Sequence, residues 1–213
     1  MKKSELLTRL TDCGIVAVLR SETPEQAVKM AHALIEGGIY GIELTFSTPG
    51  VEDVVRELVD YYRERPEIMI GVGTVLDAVS ARIALLAGAL FIVSPGYDAD
   101  TMQMCHLYQV PYLPGCLTIT EIMNASKAGA DIIKLFPGSL AKPEYIKAVK
   151  APLPHVNIMP TGGVSLDNMH EWLAAGAIAV GIGGALSTVQ NDNYVDLTQR
   201  ARAYRTKFEE LRG

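Results

Sequence analysis

The sequence alternates between short β-branched segments and longer segments with helical periodicity. The short segments end in Gly, Pro or Thr, which predicts strands that are each followed by a helix. The predicted strands are Ile15–Arg20, Gly41–Phe46, Met69–Val75, Phe91–Ser94, Pro111–Pro114, Asp131–Phe136, Asn157–Thr161 and Ala177–Ile182. The predicted helices are an amphipathic one within residues 1–14, then Pro24–Glu36, Val51–Glu64, Leu76–Ala87, Ala99–Tyr108, Ile119–Lys127, Pro143–Val149, Leu166–Ala175 and, approximately, Tyr194–Leu211.

Eight βα units within about 200 residues are typical of an α/β fold of one particular kind, the (β/α)8 TIM barrel. We therefore predict such a barrel with an extra N-terminal helix, as a single domain over residues 1–213. Glycines follow several predicted helices (Gly37, Gly88, Gly129 and Gly176), as expected where a chain turns back toward a sheet. An open doubly wound sheet is the alternative, but eight parallel strands without a wider crossover favour closure.

Composition argues against several classes of protein. A net charge of −5 provides no basic surface for nucleic acid, and no apolar run approaches the roughly 18 residues of a membrane span. The basic start of the chain is interrupted by acidic residues, which is unlike a signal peptide. The cysteines Cys13, Cys105 and Cys116 fit no disulfide or zinc spacing, so we expect a cytoplasmic protein.

Lys134 and Glu43 are the strongest candidates for catalysis. Each lies within a predicted strand, and strand alternation places Ile42 and Leu44 toward the helices and Glu43 and Thr45 toward the barrel interior. A buried lysine favours its neutral amine, which can attack a carbonyl and form a Schiff base, and a nearby carboxyl group can transfer protons. The alternatives are a lysine that reaches solvent and a buried acid that is paired only for packing.

The ends of other predicted strands carry candidate ligand-binding groups. Arg20 ends the first strand and suits a carboxylate or phosphate, although a surface role is equally compatible with its position. Thr74 follows two glycines, which is also compatible with an ordinary turn. The last two strands lead into glycine-rich loops, Thr161-Gly162-Gly163 and Gly183-Gly184, whose backbone N–H groups suit a phosphate at helix starts. The histidines are scattered without metal-ligand spacing, so no metal or other cofactor is predicted.

An ordered set of segments resembles the bacterial 2-keto-3-deoxy-6-phosphogluconate (KDPG) and 4-hydroxy-2-oxoglutarate (KHG) aldolase family. No single segment is specific, but the set recurs in order along nearly the whole chain. The segments are Val16-Ala17-Val18-Leu19-Arg20, Ile42-Glu43-Leu44-Thr45, Gly71-Val72-Gly73-Thr74-Val75, Ser94-Pro95-Gly96, Leu113-Pro114-Gly115, Lys134-Leu135-Phe136-Pro137 and Pro160-Thr161-Gly162-Gly163.

The resemblance implies a metal-free class I aldolase that splits a 2-keto-4-hydroxy acid into pyruvate and an aldehyde. Lys134 then corresponds to the Schiff-base lysine, Glu43 to the general acid/base and Thr74 to a residue that holds the pyruvyl carboxylate. It also implies a phosphorylated keto acid as substrate and a homotrimer of barrels. The full set of predicted substrate-binding residues is Arg20, Thr45, Thr74, Pro95, Phe136, Thr161, Gly162, Gly163, Gly183 and Gly184.

Two positions depart from the family pattern. Many members carry Leu-Arg where this chain has Phe46-Ser47, and that arginine helps to bind the substrate carboxylate, so Arg20 or backbone donors have to do more here. Many members have a phosphate-contacting serine where this chain has Gly184. Both changes concern the substrate rather than the catalytic groups.

Two other functions are alternatives. One is another phosphate-binding barrel enzyme, a sugar-phosphate epimerase or a decarboxylase with Lys134 as an acid; the aspartates that many such enzymes need at strand ends are missing, since Asp131 lies at the start of its strand. The other is a barrel without catalysis that senses a phosphorylated metabolite. A sensor has no need to bury both Glu43 and Lys134, so the aldolase remains the favoured interpretation.

Overall fold

The computed structural model describes residues 2–212 and confirms the alternation of strands and helices. Helices Pro24–Glu36, Ala99–Tyr108 and Ile119–Lys127 have the predicted bounds. The helices are α1 (Lys3–Cys13), α2 (Pro24–Glu36), α3 (Val51–Tyr61), α4 (Ala78–Leu86), α5 (Ala99–Tyr108), α6 (Ile119–Lys127), α7 (Gly138–Lys150), α8 (Met169–Ala174), α9 (Gly184–Ser187) and α10 (Tyr194–Arg212). The strands are β1 (Ile15–Leu19), β2 (Gly41–Thr45), β3 (Met69–Gly73), β4 (Ile92–Val93), β5 (Tyr112–Leu113), β6 (Gly115–Cys116), β7 (Ile133–Leu135), β8 (Ile158–Pro160) and β9 (Val180–Ile182).

All strand pairs within residues 2–212 are parallel, which confirms the α/β fold. One sheet has the order β5-β4-β3-β2-β1-β9 and the other the order β6-β7-β8. The chain passes from β5 to β6 through Pro114, whose carbonyl accepts from the Lys134 N–H at 3.0 Å. Near the other boundary, Thr161 forms a parallel bridge with Gly181, and the Ile178 N–H donates to the Ile158 carbonyl at 3.0 Å.

Apolar residues form two buried clusters on opposite faces of the strands. The larger cluster contains Ile42 and Leu44, as predicted, and packs the outer faces of the strands against the helices. The smaller one lies on the inner faces, where Leu6 and Leu10 of α1 cover it, so the N-terminal helix covers part of the interior. Its strand and loop residues are Val16, Met69, Phe91, Val93, Leu113, Ile132, Met159 and Ala179.

Several predicted strands extend beyond the observed ones at their C-terminal ends. Arg20, Phe46, Thr74, Phe136 and Thr161 all follow the last residue of a strand. Thr74 adopts φ 58°, a left-handed conformation that no strand contains. The hydrophobic pattern identifies buried positions, but it does not show where the chain leaves the sheet, so these residues belong to loops.

Four further differences from the predicted elements concern three helices and one strand. The short helix α9 and the strand β6 were not predicted, because each has too few residues for a periodic pattern. Helix α7 begins five residues earlier than predicted and is interrupted at Lys142, before Pro143, where φ is 60° and ψ is 162°. Helix α8 is shorter than predicted. No helix within residues 2–212 combines the length and apolarity needed to cross a membrane.

Candidate active site

Lys134 and Glu43 meet in the interior, although 91 residues separate them in the sequence. Strand β7 carries Lys134 and strand β2 carries Glu43, and both side chains point away from the helices. The Lys134 Nζ lies 3.4 Å from Glu43 Oε1. Lys134 is 5% exposed and Glu43 is 1% exposed, so the prediction of two inward, buried groups is confirmed. The alternative of a Lys134 side chain that reaches solvent is excluded by this burial.

Gly73 makes room for the Glu43 carboxylate. Thr45 pairs with Gly73 in the β2–β3 ladder, and a Cβ atom built on Gly73 would overlap the Glu43 carboxylate. The missing side chain therefore lets a carboxylate lie flat against the neighbouring strand. This is a packing role for a glycine that the sequence showed only as part of a turn.

Two buried polar atoms beside this pair have no partner among residues 2–212. They are Glu43 Oε2 and Thr161 Oγ1. Buried polar atoms in folded proteins are nearly always hydrogen-bonded, and leaving one unpaired costs about 1–3 kcal/mol. Thr161 belongs to the wall of the cavity described next, so its hydroxyl can pair with a polar ligand, whereas Glu43 does not line that cavity.

A cavity of about 820 Å³ opens at the C-terminal ends of the strands, with Lys134 in its wall. The Lys134 Nζ lies 5.3 Å from the centre of the Phe136 ring, so one side of this nitrogen faces an apolar group. Nine of the predicted site residues line this cavity, namely Arg20, Thr74, Pro95, Lys134, Phe136, Thr161, Gly162, Gly183 and Gly184.

Glu43, Thr45 and Gly163 were predicted site residues that do not line the cavity. Glu43 lies behind Lys134 and reaches it through the ion pair described above. Thr45 is fully buried, and its Oγ1 donates to the Leu19 carbonyl at 3.0 Å. A direct contact of Thr45 with substrate is therefore not supported. Gly163 packs against Ser139, 3.0 Å from the position of its missing Cβ, which indicates a packing role.

Several cavity residues were not predicted from the sequence. Most of them lie in β1, the β1–α2 loop and α2, or in the segment after β9, and these parts neighbour each other because β1 pairs with β9; Ser47 follows β2. Ordinary loop residues give no periodic or motif signal that would identify them. The additional lining residues are Val18, Ser21, Glu22, Gln26, Met30, Ser47, Ser187, Thr188 and Val189.

Arg20 is the cation at the rim of the cavity. Its side chain is exposed and forms no hydrogen bond or ion pair within the part of the chain that the structure describes. An unpaired guanidinium beside a cavity suits a carboxylate or phosphate of a ligand. The structure thus places Arg20 where the sequence predicted an anion-binding group.

The cysteines take no part in this site. All three are free and buried, and desolvation by burial raises the pKa of each thiol to about 12. Thiols with such pKa values are protonated at neutral pH and react poorly. Among residues 2–212, no group of His, Cys, Asp and Glu side chains is arranged to hold a metal ion.

A lysine amine and a carboxylate, buried together at the C-terminal ends of parallel strands and beside a polar cavity, define an α/β enzyme equipped for carbonyl chemistry. The family model described as KDPG and KHG aldolase matches residues 6–200. The chain belongs to this aldolase family.

Individual relatives agree with the family assignment. The 2-dehydro-3-deoxy-6-phosphogalactonate aldolase of Escherichia coli (strain K12) is 34% identical over 177 residues, which cover 83% of this chain and 85% of that protein. The 2-dehydro-3-deoxy-phosphogluconate aldolase of Pseudomonas aeruginosa is 36% identical over 174 residues, which cover 81% of this chain and 78% of that protein. A crystal structure of KDPG aldolase from Legionella pneumophila, with pyruvate captured as a covalent carbinolamine, has a TM-score of 0.82 at 28% identity, covering 90% of this chain and 93% of that chain.

Proposed function

We propose that this protein is a class I aldolase that reversibly cleaves a 2-keto-4-hydroxy acid to pyruvate and an aldehyde. The substrate is 2-keto-3-deoxy-6-phosphogluconate, 4-hydroxy-2-oxoglutarate or both, and the aldehyde is glyceraldehyde 3-phosphate or glyoxylate accordingly. The observation that carries the proposal is the buried pair of Lys134 and Glu43 at the cavity wall, 3.4 Å apart. The two aldolases to which the chain is similar and the carbinolamine in the Legionella pneumophila enzyme support it.

The first half of the reaction forms the Schiff base. Lys134 passes a proton to Glu43, and its neutral amine then attacks the C2 carbonyl carbon. A proton of the attacking amine is transferred to the carbonyl oxygen, which gives a carbinolamine. Glu43 then supplies the proton with which the carbinolamine hydroxyl leaves as water, and a protonated imine remains. The short distance between the two groups allows one carboxyl to serve both proton transfers.

The second half of the reaction breaks the C3–C4 bond. The C4 hydroxyl loses its proton to Glu43, directly or through a water molecule, and the aldehyde leaves. The bonding electrons pass to the protonated imine, which becomes an enamine. The enamine takes a proton at C3, and water then releases pyruvate from Lys134.

The remaining lining residues have proposed roles in holding the substrate. Arg20 and Thr74 bind the carboxylate, since Arg20 has a free guanidinium and Thr74 lies at the end of β3. Phe136 and Pro95 provide the apolar wall that limits water around the amine. The backbone N–H groups of Gly162, Gly183 and Gly184 contact the distal part of the substrate, including a phosphate where one is present, and the Thr161 hydroxyl contacts the keto-acid half.

Reductive trapping tests the proposed function. The protein is incubated with pyruvate and reduced with borohydride, and the modified peptide is identified by mass spectrometry. We expect one adduct per chain, on Lys134, because only an imine is reduced to a stable secondary amine. The absence of an adduct, as expected for an epimerase or a sensor, or an adduct at another lysine would contradict the proposal.

We further propose that the two sheets form one closed (β/α)8 barrel and that residues 1–213 are a single domain. The bridge between Thr161 and Gly181 and the chain that runs from β5 into β6 support closure, because they lie at the two boundaries between the sheets. Free, buried cysteines agree with a reducing cytoplasm as the location.

A homotrimer is also proposed, and an apolar stripe on α4 supports it. Val79, Ile83 and Leu86 are between 41% and 72% exposed, and their spacing of four and three residues places them on one face of α4, with exposed Leu76 just before the helix. An exposed stripe of this kind is typical of a surface that is covered in an assembly.

Light scattering of the purified protein tests the trimer. We expect a mass three times the 23.0 kDa of one chain. Replacing both Val79 and Leu86 by Glu is expected to give monomers, because charged groups would then have to be buried at the interface. Val195→Glu, at an exposed apolar position of α10, is the control that should stay trimeric. A wild-type mass equal to one chain would refute the proposal.

A further inference from the structure

Four hydroxyl groups in the cavity wall have their protons directed away from the cavity. They belong to Ser21 after β1, Ser47 after β2, Ser187 at the end of α9 and Thr188 directly after it. Ser187 Oγ donates to the Val18 carbonyl at 2.8 Å. The remaining contacts are Ser21 Oγ to the Thr23 carbonyl at 3.1 Å, Thr188 Oγ1 to the Gly184 carbonyl at 2.7 Å and Ser47 Oγ to Thr45 Oγ1 at 2.6 Å.

The direction of the Ser47 bond follows from its neighbours. A hydroxyl has one proton, and the Thr45 hydroxyl donates its proton to the Leu19 carbonyl at 3.0 Å. Ser47 must therefore supply the proton of the 2.6 Å contact between the two hydroxyl groups. Buried Thr45 thus orients Ser47 without touching a ligand itself.

A hydroxyl whose proton is committed in this way offers only lone pairs to a ligand. The carboxylate of Glu22 adds a further acceptor to the same wall, since it is exposed and forms no ion pair within residues 2–212. Redirecting the Ser187 proton toward a ligand would leave the buried Val18 carbonyl without this bond, which is unfavourable. This wall, which we call the acceptor wall (Ser21, Glu22, Ser47, Ser187 and Thr188), therefore favours ligand groups that donate.

The acceptor wall is held in place by bonds between loops. The Ser21 N–H donates to Thr48 Oγ1 at 3.2 Å and so ties the β1–α2 loop to the β2–α3 loop. Arg200 donates to the carbonyls of Leu186 and Thr188 at 3.0 and 2.8 Å and fixes the segment after α9. Groups positioned before binding lose little conformational freedom when a ligand arrives, which increases affinity.

The opposite side of the cavity offers hydrogen-bond donors rather than acceptors. The Thr161 hydroxyl has no partner within residues 2–212, and Thr74 forms no side-chain hydrogen bond there. Both hydroxyls are therefore free to donate to carboxylate or carbonyl oxygens of the keto-acid half. A carboxylate at the other end of a substrate would instead meet lone pairs and the negative charge of Glu22.

We propose that the acceptor wall selects substrates whose aldehyde half carries hydroxyl groups, in preference to substrates whose aldehyde half carries a second carboxylate. Substrate hydroxyls donate to Ser47, Ser187 and their neighbours, and Thr45 is a positioning residue for Ser47. The inference rests on the proposed aldolase function. It makes a sugar-derived keto acid the better substrate and 4-hydroxy-2-oxoglutarate the poorer one.

Aldehyde competition in the synthetic direction tests the proposal. The wild-type protein is supplied with saturating pyruvate and with glyceraldehyde, propanal or glyoxylate, and each product is quantified by chromatography. Glyceraldehyde and propanal have the same number of carbon atoms, so their kcat/KM ratio isolates the two hydroxyls. We expect glyceraldehyde to exceed propanal and glyoxylate by about tenfold or more, since each hydrogen bond contributes roughly a factor of three to ten.

Variants then assign the effect to the wall. Ser47→Ala and Ser187→Ala should each lower the glyceraldehyde-to-propanal ratio by roughly three- to tenfold. Thr45→Val removes the acceptor for the Ser47 proton, so Ser47 can donate to a carboxylate, and the glyoxylate-to-glyceraldehyde ratio should rise. Ser126→Ala on α6 is the matched control, and it should keep the wild-type ratios.

Two results would overturn the inference. A wild-type ratio near one, or ratios unchanged in the Ser47 and Ser187 variants, would refute it even though pyruvate is still trapped on Lys134. If no pyruvate adduct forms at all, the aldolase function itself fails and this inference fails with it. The trapping experiment therefore separates the two kinds of failure.

Discussion

Lys134→Met is expected to lower kcat/KM for cleavage by about 10⁴-fold or more, because the variant lacks the amine that forms the covalent intermediate. Methionine keeps an unbranched apolar stem of similar length, so the packing around the stem changes little. The Glu43 carboxyl loses its Lys134 partner in this variant. Steady-state kinetics with a 2-keto-4-hydroxy acid measures the loss.

Folding has to be shown separately for this variant. The circular dichroism spectrum and the cooperative thermal transition should both be retained, so the kinetic loss is chemical rather than structural. Lys147→Met is the control, since it makes the same change at an exposed position of α7. If Lys134→Met cleaved the substrate at the wild-type rate, or if borohydride trapped pyruvate on another residue at undiminished yield, Lys134 would not be the Schiff-base lysine.

Glu43→Gln is expected to lower the rate of imine formation and of cleavage by about 10²- to 10⁴-fold, the usual contribution of a positioned acid/base group. Glutamine has the same shape and can still accept a hydrogen bond from Lys134, but it cannot carry a proton between substrate and water. The loss should appear mainly in kcat, because the substitution changes no residue of the cavity lining.

Proton exchange gives a second readout for Glu43. The exchange of the C3 protons of pyruvate with deuterium oxide, followed by NMR, requires only the imine and a base. We expect this exchange to slow in Glu43→Gln and to remain normal in Glu52→Gln, a control on the first turn of α3. Exchange at the wild-type rate in Glu43→Gln would assign the proton transfers to another group, with Glu43 left as a packing partner of Lys134.

These two variants have large expected effects because the two groups are buried together. With Glu43 1% exposed and Lys134 5% exposed, little solvent is available to replace either function. The ladder of β2 and β3 and the absence of a side chain at Gly73 fix the carboxylate. A substitution at the rim, such as at Arg20, leaves backbone donors and water in place and should therefore cost less.

The periodicity of the sequence was sufficient for most of the fold. Helices α2, α5 and α6 have the predicted bounds because each begins at a capping side chain, Thr23, Asp98 or Thr118, and because α2 and α6 also have a regularly repeating apolar face. Strand alternation also placed Glu43 on the interior face and Ile42 and Leu44 against the helices. The order of strands in the two sheets could not be derived in this way, since periodicity shows which face is buried but not which strand is adjacent.

The buried pair of Lys134 and Glu43 was predicted more securely than the residues that line the cavity. A charged residue within an apolar strand is anomalous in the sequence, and both Lys134 and Glu43 show that signal. Thr45 was predicted to share the interior face of β2 with Glu43. Its hydroxyl bonds instead to the neighbouring strand β1, and Ser47 rather than Thr45 lines the cavity. Whether the Thr45 hydroxyl bonds to the Leu19 carbonyl or to a ligand depends on where β1 lies, which the sequence of β2 does not show.

By itself, the sequence determined the succession of strands and helices, the inward positions of Lys134 and Glu43, and the resemblance to an aldolase family. These follow from local periodicity and from residues that are costly to bury. Only the tertiary structure decided that the two charges lie 3.4 Å apart, and that the hydroxyls of Ser47 and Ser187 turn their protons away from the cavity. Distances and hydrogen-bond directions are set by contacts between strands far apart in the chain, which no local pattern encodes.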